Sequence, residues 1–87
     1  MILITYDLKK DHTKIKNALK ALGRKETIVG DTGIESNLPN TSLWKEGDNT
    51  VAARTEFQAI VNTPNLERLV VVAFSKWAAI RGEPFVD

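Results

Sequence analysis

The sequence predicts a mixed α+β domain: one antiparallel sheet of four strands, with two helices on one face. Three observations carry this. Apolar runs with strand-like alternation stand near both ends, "ILITYDL" and "LERLVVVAF". Two stretches between them repeat apolar residues at helical spacing. Segments rich in Gly, Asp, Asn and Pro separate these elements.

The elements follow in order. Residues 1–8 read as a strand with Ile2, Ile4 and Tyr6 on one side and Leu3, Thr5 and Asp7 on the other. A helix follows, capped by Asp11 or Thr13, with Ile15, Ala18, Leu19 and Leu22 as its stripe and Gly23 as its stop. "KETIV", residues 25–29, reads as a second strand, and the turn-rich 30–40 segment as a flexible loop. "TSLWK", residues 41–45, is the third strand, and Asp48 or Asn49 caps the second helix. There Ala53, Phe57, Ile60 and Val61 fall within an arc of about 100°, the width of a face packed on a sheet. Pro64 ends that helix, and the fourth strand puts Leu69, Val71 and Ala73 opposite Val70, Val72 and Phe74. Residues 75–87 form a C-terminal arm.

With 87 residues the chain is a single domain, 1–87, small enough that a partner subunit would help to bury its surface. Hydrophobic content of 43% and charged content of 26% are ordinary for a globular protein. Without cysteine there is no disulfide, thiolate metal site or cysteine nucleophile. No apolar run is long enough for a membrane span or a signal peptide, so a cytoplasmic protein is expected. Net charge is only +1, but residues 1–25 hold seven of the twelve bases against two acids. That local excess suits a polyanion or a solvated helix face.

Strand, helix, strand, strand, helix, strand is the ferredoxin-like pattern. Two helices cover one face of such a sheet, yet the first and last strands are apolar on both faces. An identical subunit packed on the second face is the economical cover, and a homodimer is expected.

"ILITYDL", the basic helix ending "ALKALG", then "NTSLW" and "LVVVAFSKWA" resemble the CRISPR-associated protein 2 superfamily. The likeness runs from Met1 to about Ala79 and is closer to the small stand-alone members; virulence-associated protein D toxins belong to the same group. It implies a ferredoxin-like homodimer in which the aspartate ending the first strand faces its twofold mate. That position is Asp7, as catalytic residue and ligand of Mg²⁺ or Mn²⁺ in phosphodiester cleavage. Thr5 and Tyr6 would support the site, and Lys9, Lys10, Lys14, Lys16 and Lys20 would steer a nucleic-acid backbone by charge. The serine-phenylalanine stretch common after the second strand in the CRISPR members has no clear match here, and residues 30–40 read as an insertion there.

Each candidate has a plainer reading. Asp7 also suits a turn former, and Tyr6 a core or interface aromatic. His12, the sole histidine, stands at a helix start as a general base, a ligand or a solvated side chain. Asp31, Thr32 and Gly33 match an aspartic protease triplet, but the two helical stripes contradict that almost all-β fold. Trp44 and Trp77 read as packing residues. Two functions remain open: a metal-dependent endonuclease or toxin-like nucleic-acid binder, and a non-catalytic protein that binds another macromolecule through its dimer surface or the 30–40 loop.

Overall fold

Residues 1–30 and 33–78 are described by the computed structural model. In chain order they form β1 (Ile2–Leu8), α1 (His12–Ala21), β2 (Thr27–Val29), β3 (Glu35–Asn37), β4 (Ser42–Lys45), α2 (Thr50–Ile60), a 3₁₀ turn (Thr63–Asn65) and β5 (Leu66–Ala73). The fold is α+β, with two helices and antiparallel sheets among the described residues. No helix there is long and apolar enough to cross a membrane.

The alternation of β1 decides where the core sits. Ile2, Ile4, Tyr6 and Leu8 point to one face and are buried with Leu43 of β4, Ile15 and Leu19 of α1, and Ala53 and Phe57 of α2. Both helices therefore pack on the same side of the sheet, with Tyr6 and Phe57 in ring contact at 5.1 Å. Phe57, Ile4, Leu19 and Leu43 are the largest fully buried side chains, so truncating Phe57 would cost about 3–5 kcal/mol.

Helix ends follow the sequence closely. Asp11 is the first residue before α1, but its backbone is left-handed at φ 63° and its side chain makes no capping bond. Gly23, at φ 92°, closes α1, a conformation that costs glycine little. Asn49 caps α2, its Oδ1 accepting from Ala52 N–H at 2.8 Å. α2 stops at Ile60, and Pro64 lies in the 3₁₀ turn beyond it.

Two expectations are corrected. Among the described residues the main sheet has three strands, β4-β1-β5, rather than four, and the 30–40 segment contains β3, which pairs with β2 in a separate antiparallel hairpin. Among the described residues, the second strand pairs its backbone with the sheet at Lys25, which exchanges hydrogen bonds with Trp44 at 2.8 and 3.0 Å. The chain then bends at Glu26. Trp44 donates its indole N–H to the Thr27 carbonyl at 2.6 Å, taking up a group that a fourth ladder would have used.

On the face away from the helices, register aligns Leu3 with Trp44 and Val72, Thr5 with Ser42 and Val70, and Asp7 with Arg68. The hairpin covers part of this face. Ile28 and Leu38 line an apolar groove of about 250 Å³ together with Leu3, Val72, Phe74 and Trp77. Val70 and Val72 stay exposed, at 53% and 39%. Of the expected C-terminal arm, Ser75–Ala78 is irregular and Trp77 meets Phe74 edge-on at 5.9 Å; residues 79–87 lie outside the described residues, as do Asp31 and Thr32.

Candidate functional site

Asp7 stands on the helix-free face, where the ladder between β1 and β5 slips. Asp7 is opposite Arg68 and Leu8 opposite Leu66, so Glu67 is an extra residue on β5. Such a bulge re-aims the side chains beside it. Arg68 Nε donates to Asp7 Oδ2 at 2.6 Å, with the guanidinium 75% and the carboxylate 47% exposed. This bond is the main reason that the Arg68 guanidinium is held above its already high range.

Immediately after β1, Asn65 fixes the chain. Its side-chain oxygen accepts from Lys9 N–H at 3.1 Å and Lys10 N–H at 2.9 Å, and its amide donates to the Lys10 carbonyl at 3.0 Å. Lys9 N–H also reaches the Asn65 carbonyl at 3.0 Å. Asn65 is itself buried, and its N–H is accepted by Asn62. The outcome is a turn whose backbone is tied down while the Lys9 and Lys10 side chains stay exposed.

The five lysines assigned to a basic face separate into two groups. Lys9, Lys10 and Lys14 are exposed. Lys16 is buried: its Nζ donates to the Asn40 carbonyl at 2.9 Å and lies 3.6 Å from Glu26. Burial pulls its pKa down, against the pull of Glu26. Lys20 is exposed too, but it is engaged, donating to Glu26 at 2.7 Å. Lys16 and Lys20 thus tie α1 to the chain leading into the hairpin.

The supporting residues also separate. Thr5 shares the Asp7 face, and its hydroxyl accepts from Ser42 at 3.2 Å. Tyr6 points the other way, into the core, where burial pushes its hydroxyl pKa up to about 12. Its place is that of a core aromatic. His12 is the first residue of α1.

Mg²⁺ and Mn²⁺ take several oxygen ligands. Within one chain the donor set at Asp7 is one carboxylate already joined to a guanidinium, and among the described residues no group of three or more His, Cys, Asp or Glu gathers that could hold a metal. On this set either ion would compete with the Arg68 guanidinium for the one carboxylate. What it does offer is a cationic fork and two exposed lysines at one end of the sheet, chemistry suited to an oxyanion.

Arg68 and Asn65 were missing from the sequence reading. "TPN" signals a turn and "LERL" puts Arg68 on the side of Val70, but only the strand register brings either residue to Asp7 or Lys10. No family model, curated protein or solved structure matches this chain.

Proposed function

We propose that the chain is a nucleic-acid-binding protein of the ferredoxin-like type that works as a homodimer, with the end of β1 as its contact with the sugar-phosphate backbone. One observation carries the reading: where β1 stops and β5 starts, Lys9 and Lys10 are exposed on backbone anchored by Asn65, and Arg68 is exposed opposite Asp7. The architecture supports it. The isolated Lys25 bridge lies along β4, the edge at which a ferredoxin-like sheet takes its second strand, and both helices lie on one face. Val70 and Val72 give the other face an apolar surface for a second copy.

Cleavage by Mg²⁺ or Mn²⁺, which the likeness to CRISPR-associated protein 2 implies, would draw its second carboxylate from the Asp7 of a second copy. The test is titration of labelled RNA and DNA, single- and double-stranded, over a range of salt, followed by incubation with either ion. Binding should weaken steeply with salt, and K9A/K10A should weaken it for every sequence alike. Loss of cleavage in D7A with binding retained would place Asp7 in catalysis; no binding at low salt, or binding unchanged in K9A/K10A, would remove the proposal.

The second reading is a non-catalytic interaction protein, favoured by the apolar groove around Leu3, Val72, Phe74 and Trp77. There, V72K would abolish partner capture and K9A/K10A would leave it intact.

A further inference from the structure

We infer that Arg68 is the anion-binding group at the end of β1 and that Asp7 is its counter-ion, so that this end of the sheet takes a phosphodiester oxygen directly, without a divalent metal. The inference rests on the nucleic-acid reading above and names the chemistry of its ligand.

Arg68 spends one N–H, Nε, on Asp7, and a guanidinium carries five. With the side chain three-quarters exposed, the rest of the fork meets water. A phosphate oxygen can take over the bond that Asp7 makes, since both are charge-assisted and the phosphate presents two oxygens to the fork. Displaced Asp7 loses little, because its half-exposed carboxylate is then hydrated.

A metal ion faces the reverse situation. A dication approaching Asp7 meets a guanidinium at hydrogen-bond distance that cannot lose its charge at any working pH. Glu67, the bulged neighbour, acts on Arg68 electrostatically and tempers the positive field, and exposed Lys9 and Lys10 restore it. The bulge and the Asn65 anchor hold these groups on backbone shared by β1 and β5, so the site exists before the ligand arrives.

Asp7→Asn and Arg68→Gln separate the possibilities because the two accounts predict opposite signs. If Asp7 is the counter-ion, D7N frees Arg68 and tightens oligonucleotide binding by roughly threefold to tenfold, R68Q weakens it by about tenfold, and EDTA changes nothing. Weaker binding by D7N, or binding lost in EDTA, overturns the inference while leaving nucleic-acid binding in place. A second measurement needs no oligonucleotide: broadening of the Asp7 and Leu8 amide resonances by Mn²⁺. R68Q should show it at a Mn²⁺ concentration about tenfold lower than wild type does. Equal broadening in both would overturn the inference, whereas failure of wild type to bind any oligonucleotide would count against the proposed function alone.

Discussion

Asn65 closes on the backbone of Lys10 in both directions, accepting from its N–H at 2.9 Å and donating to its carbonyl at 3.0 Å. The two residues are 55 positions apart, and the pair joins the turn after β1 to the start of β5. A buried amide with donor and acceptor both engaged stabilises a single backbone arrangement. Removing it strands the N–H and the carbonyl of Lys10, whereas Lys9 N–H keeps the Asn65 backbone carbonyl.

Asn65→Ala should therefore cost about 1–3 kcal/mol in urea unfolding. Hydrogen exchange should speed up most at Lys10, ahead of Lys9, whose N–H keeps the Asn65 backbone carbonyl, and of the amides within β1. An exchange rate unchanged at Lys10 would show that the anchor is not what orders the turn.

Arg24 performs a comparable task at the other end of the molecule. Its side chain is fully buried, with Nε donating to Glu56 at 3.0 Å and one terminal nitrogen lying 3.0 Å from Asp48 and 2.9 Å from Glu56. The other terminal nitrogen is buried without a hydrogen-bond partner. Arg24→Met leaves both carboxylates without their cation, and should destabilise by about 3 kcal/mol, the low end for a broken buried pair, because Glu56 is partly exposed and Lys45 lies 3.9 Å from it. The triple variant R24M/D48N/E56Q should recover most of that loss. A single variant as stable as wild type would show that the cluster contributes nothing net.

What was legible in the sequence is what depends on local periodicity. Ile2, Ile4 and Tyr6 alternate in β1, Ala53 and Phe57 are one helical turn apart, and Asn49 and Gly23 are end signals with local mechanisms. Each was read from its neighbours alone. β3 was missed because "ESN" has no apolar alternation, and its pairing with Thr27–Val29 depends on the bend at Glu26. Lys16 was counted as a surface charge. Its neighbours Ile15 and Leu19 bring that part of α1 into the interior, and its long stem reaches the Asn40 carbonyl. Asp7 stands out in the sequence as the acid that ends an apolar strand, whereas Arg68 is 61 residues away and becomes its partner only through register.

Glu26 sets a test at low pH. Its carboxyl is held below the usual range, chiefly by the hydrogen bond from Lys20 and against the opposing effect of burial, with Lys16 adding to the pull. A folded pKa below the unfolded value means that the unfolded chain binds more protons in that interval. The stabilisation is present above about pH 4.3 and is lost as pH falls through the depressed folded value. Glu26→Gln should flatten this part of the stability profile measured by urea unfolding, with the neutral-pH baseline lowered. An acid limb as steep as that of wild type would assign the effect to other carboxylates, of which Asp48 is one: burial raises its pKa, but the Asn49 N–H and Arg24 outweigh burial and lower it.

Tyr6 sets the opposite test at high pH. Burial lifts its hydroxyl to about 12, while an unfolded tyrosine titrates near ~10. Between these values the unfolded chain has lost its proton and the folded chain keeps it, so stability falls as pH rises. The contribution is whole below about pH 10 and disappears toward 12. Lys16 works the other way: its pKa is lowered by burial, so its contribution grows as pH rises through its folded value toward ~10.4. Wild-type stability followed by urea unfolding should therefore decline above pH 10, and Tyr6→Phe should remove the decline while leaving the gain from Lys16. Should the same decline persist in Y6F, ionisation of Tyr6 is not what weakens the core on the alkaline side.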